Sequence, residues 1–153
     1  MKLSVRGEYA LRALAVLGAH FGGDVVRIQF ISEQQNIPKR FLEQILNDLK
    51  AGGFVESRRG VAGGYRLSMA PDQIPLAKVI RHLEGALAPV SCVSERFYAK
   101  CSCPDEALCP LRSVMKEVRD AIATILETTT VAELVQRARA LRQHPDRAPD
   151  FVI

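Results

Sequence analysis

Residues 31–67 read ISEQQNIPKRFLEQILNDLKAGGFVESRRGVAGGYRL: two helical patterns, then two short extended ones, separated by turn residues. Ile31 to Gln35 suits a short helix and Asn36-Ile37 a turn. Pro38 suits the first position of a second helix, where its missing N–H would be unpaired anyway. That helix is expected to run to about Ala51. Phe41, Leu42, Ile45, Leu46 and Leu49 recur at helical spacing and form a packing face, leaving Lys39, Arg40, Glu43, Gln44 and Asn47 opposite. Gly52-Gly53 stops the helix. Phe54–Ser57 and Tyr65–Ser68 then read as two strands around the basic, glycine-rich loop Arg58-Arg-Gly-Val-Ala-Gly-Gly. A helix-turn-helix followed by a basic wing is a unit suited to gripping duplex DNA.

The rest of the composition supports a folded partner for such a unit. The 153 residues are 48% hydrophobic and 25% charged, a globular balance, and no apolar run approaches the roughly 20 residues of a membrane span. No membrane partner is expected. The N-terminal apolar segment is broken by Arg6, Glu8 and Arg12, unlike a secretory signal, so a cytoplasmic location is expected. The net charge of +4 is unevenly placed. Residues 1–67 carry ten Lys/Arg against six Asp/Glu, whereas residues 68–153 carry eleven of each. The surplus sits with the residues up to the end of the wing, where it would attract a polyanion through steering and counterion release.

Ser4 is placed to cap a first helix that is apolar nearly all round through Leu17, hence a buried one. Gly22-Gly23-Asp24 ends it, and Val25–Ile28 reads as a short strand or an extended lead into the reading unit. After the wing, Ala70-Pro-Asp marks a turn. Pro75 begins a helix with Leu76, Val79, Ile80 and Leu83 on one face, ended by Gly85, and expected to pack on the first helix. Leu111 begins the longest helix, with Leu111, Val114, Met115, Val118, Ile122, Ile125 and Leu126 in one stripe. So long a stripe on so small a chain points to dimerisation. Thr130-Val-Ala-Glu133 fits a capping box opening a last helix to about Leu141. The tail from Gln143 is expected to fray. The fold class is therefore mainly α with a small β-wing: residues 1–85 a winged helix-turn-helix DNA-binding domain, 86–110 a cysteine-rich loop, 111–142 a dimerisation helix and C-terminal helix, and 143–153 a flexible tail.

All four cysteines, Cys92, Cys101, Cys103 and Cys109, fall in that loop. Clustered thiols in a reducing compartment favour metal binding or redox sensing over a structural disulfide. Thiolates suit iron–sulfur clusters and zinc alike. The separations of eight, one and five residues lack the paired knuckles common in zinc sites. Zinc is the weaker choice, and one member of the Cys101/Cys103 pair is open to being a spectator. His82 reads as an ordinary helix residue.

The order of these motifs resembles the Rrf2 family of bacterial winged-helix regulators. The matching residues are Met1-Lys-Leu-Ser with Glu8-Tyr-Ala-Leu-Arg-Ala-Leu, Phe41-Leu-Glu-Gln-Ile-Leu in the second helix of the reading unit, and Arg59-Gly-Val-Ala-Gly-Gly-Tyr in the wing. Cys109-Pro-Leu-Arg and Thr130-Val-Ala-Glu-Leu complete the set. The resemblance covers nearly the full length. It implies a homodimer on a near-palindromic double-stranded DNA operator, whose affinity is controlled by an iron–sulfur cluster, 2Fe-2S ahead of 4Fe-4S. In the family the cluster is held by three loop cysteines and a variable fourth ligand. Carried over, Cys92 and Cys109 match the first and third thiolates. Cys103 keeps the familiar spacing to Cys109 and is preferred to Cys101 as the second. Where some relatives place a histidine, this chain has Arg112, which stays cationic and cannot ligate. Other relatives use a carboxylate near the N-terminus, sometimes from the partner subunit, and Glu8 occupies that position.

For DNA, Lys39 and Arg40 can contact phosphates or guanine, Glu43 can accept from cytosine, and Gln44 can pair with adenine. Arg58 and Arg59 would reach phosphates or a minor groove, with Gly60 allowing close approach. Three other readings compete: a cluster-free regulator switched by thiol–disulfide exchange or zinc, an iron–sulfur enzyme, and a protein-binding adaptor, which leaves the charge split and the wing arginines unexplained. No Walker loop, dinucleotide fingerprint or Ser/His/Asp arrangement supports an enzyme.

Overall fold

The computed structural model describes residues 2–144. Among these are six α-helices and one two-stranded antiparallel sheet. Helix α1 (Val5–Ala19) begins where Ser4 Oγ accepts the Gly7 N–H at 3.1 Å. Its Ala10, Ala13, Leu14 and Leu17 are buried, as expected of a helix apolar nearly all round. Helices α2 (Ile28–Gln35) and α3 (Lys39–Ala51) form the helix-turn-helix. The turn depends on Asn36, the only non-glycine residue with positive φ among the described residues, at 50°. Asparagine tolerates this left-handed conformation better than most residues. Buried Ile37 follows, its N–H donating to the Ser32 carbonyl at 3.0 Å.

Helix α2 starts three residues before the expected Ile31, with Arg27 as its cap. The lead into it is extended, with Val26 alone bridging Tyr65 through hydrogen bonds of 2.7 and 2.8 Å. Pro38 stands at the cap of α3 rather than inside its first turn. Phe41 corrects the assigned packing face. It is 59% exposed while Leu42, Ile45, Leu46 and Leu49 are buried. The rotation of about 100° per residue places Phe41 at the edge of the stripe, beside Val5, Tyr9 and Gln44.

Strands β1 (Val55–Arg58) and β2 (Gly64–Leu67) pair with Val55 opposite Leu67 and Arg58 opposite Gly64. The Ser68 N–H continues the pairing to the Phe54 carbonyl, so the expected strands are shifted by one residue. Gly64 has a packing reason, because a Cβ there would collide with the backbone of Val26. Helix α4 (Leu76–Glu84) buries Leu76, Ala77, Val79 and Ile80 and ends at Gly85, whose φ is 88°. It packs on α1 as expected. Glu84 Oε1 accepts from Ser4 N–H at 2.9 Å and from Ser4 O–H at 2.6 Å, tying the end of α4 to the start of α1.

Residues 86–109 are irregular apart from a 3-10 turn at Ser91–Val93. Helix α5 (Pro110–Thr128) has no buried residue. Leu126 packs inward, whereas Leu111, Val114, Val118 and Ile125 are exposed by 60, 53, 38 and 62%. Helix α6 (Val131–Gln143) packs on α1. Its Val131 belongs to the same buried cluster as Leu14, Ile31, Leu46 and Phe54, so the last helix completes the core of the reading unit. The capping box is half formed: Thr130 Oγ1 accepts the Glu133 N–H at 3.4 Å, but the Glu133 carboxylate turns to Arg137. The tail expected to fray lies, beyond His144, outside the described residues.

Leu14 is fully buried in α1, at the junction of reading unit and C-terminal helix. Leu14→Ala is expected to cost about 2–5 kcal/mol, read as a lower urea midpoint with an unchanged slope.

Candidate functional site

The reading surface is built by α3. Alternating burial along the helix turns Lys39, Arg40, Glu43, Gln44 and Asn47 to solvent. None of the five forms a side-chain hydrogen bond or ion pair among the described residues. Glu43 therefore has neither Asn47 nor Lys39 as a partner, and these side chains are available for base edges and phosphates.

The helix-turn-helix is braced from α1. Arg12 Nε donates to Gln35 Oε1 at 3.2 Å, and Arg12 Nη2 donates to the Gln35 carbonyl at the end of α2. A guanidinium at that terminus satisfies an orphan carbonyl and complements the helix dipole. Glu8, one turn earlier, accepts from Arg12 at 3.1 Å and so orients this brace.

The two wing arginines are not equivalent. Arg58 Nη1 pairs with Asp24 at 2.9 Å, and Nη2 donates to the Ala62 carbonyl at 2.9 Å. The Val25 N–H and the Arg58 guanidinium hold the Asp24 carboxyl below its ordinary range. Arg58 thus shapes the wing. Arg59 is exposed and makes no such contact among the described residues, which leaves it free for phosphate. Gly60, with φ 106°, turns the tip.

The second constellation is the thiol loop. Four free thiols converge there, with Cys92 buried and the other three half-buried. Cys103 Sγ lies 3.5 Å from Cys109 Sγ. Cys109 caps α5, its sulfur accepting the Arg112 N–H at 3.4 Å. The ligand atoms of Cys92, Cys101 and Glu106 lie within 4.8 Å of one another. Burial, followed by the neighbouring Cys101, pushes the Cys92 thiol above its ordinary value. A hydrogen bond from Cys103 holds Cys101 below its own, and the same bond pushes Cys103 up to about 12. Helix α5 fastens the loop: Arg112 Nε donates to the Cys92 carbonyl at 3.3 Å, and Arg119 Nη1 to the Val93 carbonyl at 2.8 Å.

The structure therefore gathers Cys92, Cys101, Cys103 and Cys109 in one loop. Within the protomer the Glu8 carboxylate lies on Arg12 and not among the thiols. Glu106 was not among the residues singled out by spacing. A carboxylate midway between Cys103 and Cys109 was the available signal. Tyr98, whose O–H donates to Glu106 at 2.6 Å, carried none. His82 is a helix residue, as expected, with Nε2 placed 2.8 Å from the Asp48 carbonyl.

Helix-turn-helix, wing and exposed polar face define a winged-helix, DNA-binding regulator of transcription. Residues 3–137 match the model of the Rrf2 family, described as an iron-dependent transcriptional regulator, and the chain belongs to that family. It is 32% identical over 134 residues to the transcriptional regulator CymR of Bacillus subtilis, covering 88% of this chain and 89% of that one. The solved structure of CymR, the global cysteine regulator of B. subtilis, matches with a TM-score of 0.76 at 30% identity, over 90% of this chain and 98% of that one. The solved IscR of T. potens matches with a TM-score of 0.71 at 26% identity, over 99% and 94%.

Arg59→Ala is expected to weaken binding to all DNA and to flatten the plot of log affinity against log salt by about 0.9. Glu43→Ala should instead alter preference at one base pair, by about 1–3 kcal/mol; competition titrations at several salt concentrations separate the two. In metal-free protein, the lowered Cys101 pKa means more thiolate at pH 8. Limited alkylation should then label Cys101 ahead of Cys92 and Cys103, as read by peptide mass spectrometry.

Proposed function

We propose that two copies of this chain bind a near-palindromic operator as a homodimer, with an affinity controlled by an iron–sulfur cluster on the loop thiols. Convergence of four unpaired cysteines at the start of α5 carries this reading. The donor chemistry fits, because thiolates favour iron–sulfur over hard-cation binding. The family resemblance points to Cys92, Cys103 and Cys109 with Glu8, and Cys101 stands beside them as the alternative to Cys103. Zinc suits these donors less well on spacing. When bound, a 2Fe-2S cluster supplies a redox-active, chemically labile centre. The protein's part is to hold the 3-10 turn through Arg112 and Arg119 and so fix the loop against α5.

The same helix supports the dimer. Its exposed Leu111, Val114, Val118 and Ile125 form an apolar stripe that a second α5 would cover. Two-fold symmetry then places the reading helices for half-sites about 34–36 Å apart. The setting is the cytoplasm. A second reading has its own observation: the 3.5 Å between Cys103 and Cys109 suits a thiol–disulfide switch without a cluster.

Anaerobically purified protein should be brown and contain iron and sulfide, and its operator affinity should differ from that of Cys92→Ala by about 5–150-fold. Equal affinities would remove the cluster from control. Colourless protein whose affinity changes with dithiol oxidation would establish the second reading.

A further inference from the structure

The Glu106 side chain is only 18% exposed, and its two oxygens have different surroundings. Oε2 accepts the Tyr98 O–H at 2.6 Å. Oε1 is buried and has no hydrogen-bond donor. Arg112 Nε lies 3.3 Å from Oε1, but its single N–H is directed to the Cys92 carbonyl. The contact is therefore an ion pair without a hydrogen bond. A buried carboxylate oxygen without a donor is costly. The position of this one is informative, because the carboxylate shares a sphere of 4.8 Å with the Cys92 and Cys101 sulfurs. Two thiols and a carboxylate converging from residues 92, 101 and 106 make a mixed sulfur–oxygen donor set within one protomer.

We infer that Glu106 supplies the oxygen ligand of the metal centre, together with Cys92 and Cys101, in place of Glu8. The inference rests on the iron–sulfur reading above. Within its own protomer Glu8 stands outside the donor group and pairs with Arg12, so only a Glu8 from a second copy could compete with Glu106 for the position. The position where some relatives carry a histidine is Arg112 here, and its guanidinium lies against the Glu106 carboxylate. There it offsets the negative charge that two thiolates and a carboxylate accumulate. Cys101 accordingly becomes a ligand rather than a spectator. One of the paired Cys103 and Cys109 thiols would be the fourth donor, so that a single protomer could supply the whole set.

The test compares full-length wild type, Glu106→Gln, Glu106→Cys, Glu8→Gln and Tyr98→Phe, all purified anaerobically, by iron and sulfide content, visible circular dichroism and electron paramagnetic resonance. Glu106→Gln should change the spectrum and lower iron retention by more than the roughly 10–100-fold that losing a group merely supporting a ligand costs. Glu106→Cys should keep the cluster with altered, all-thiolate signals, which a structural role for the carboxylate would not produce. Glu8→Gln should retain the wild-type signature, and Tyr98→Phe should keep the same ligand set while lowering iron retention by only about 10–100-fold. A wild-type signature in Glu106→Gln with a changed one in Glu8→Gln would overturn the assignment while leaving the iron–sulfur reading standing. Wild-type protein free of iron and sulfide would overturn both.

Discussion

Burial of α1 is the constraint on which the other elements depend. This helix packs against α2, α3, α4, α6 and the second wing strand, and its Ala10, Ala13 and Leu14 are wholly inaccessible to solvent. Burying a leucine stabilises by roughly 1.5–3 kcal/mol, so a helix buried on most sides is a large share of a small domain's stability. It also demands close approach. Gly18 meets α6 so tightly that a Cβ would lie 2.9 Å from Val131 Cγ1 and 3.0 Å from Val135 Cγ2. Reading unit and C-terminal helix are thus fixed to the same rod.

Polar contacts on this rod set orientation rather than stability. Exposed ion pairs contribute at most about 1 kcal/mol each, yet they occur at helix ends, where they choose angles. Arg12 closes α2, Ser4 and Glu84 join α1 to α4, and Arg81 with Glu127 joins α4 to α5 at 2.5 Å. Asp24 and Arg58 do the same for the wing. The exposed face of α3 has no such contacts among the described residues. Its side chains are left without internal partners on a scaffold held firmly behind them.

Elements with strong local signals were legible in the sequence. Helical spacing of Leu42, Ile45, Leu46 and Leu49 identified α3, Ser4 its cap on α1, and the glycine-rich Arg58–Gly64 stretch the wing. Phe41 was misplaced because periodicity gives a stripe but not its edge; the edge depends on how far α1 extends alongside. Similarly, spacing could not separate Arg58 from Arg59, since the difference lies in Asp24, thirty-four residues away in sequence. The loop was the least legible part. Four cysteines announced a site, but no period governs an irregular segment, and the position of Glu106 depends on Tyr98 and Arg112 closing over it. The exposed half of the α5 stripe was foreseen, although Leu126 turned out to serve its own protomer.

Contacts between successive elements lead from the thiols to the first helix of the helix-turn-helix: Cys92 to Arg112 on α5, Glu127 of α5 to Arg81 on α4, Glu84 of α4 to Ser4 at the start of α1, and Arg12 of α1 to Gln35 on α2. Contiguity alone does not couple two sites; coupling requires an element with two arrangements that differ in DNA affinity. The thiol loop is suited to be that element in the proposed regulator. Without a cluster, burial raises the Cys92 thiol and the hydrogen bond with Cys101 raises Cys103, while the same bond holds Cys101 low, so the loop thiols differ in their readiness to ionise. A cluster bound there would be held by these thiolates and the Glu106 carboxylate, and would tie the segment from Cys92 to Cys109 to the start of α5. Because α5 carries the apolar stripe proposed to join the two protomers, a shift there would change the spacing of the two reading helices. Spacing is what a rigid two-fold operator discriminates. The proposed mixed sulfur–oxygen site would make such a shift easier to reverse than four thiolates would, since the hard carboxylate is the weaker ligand for a soft centre.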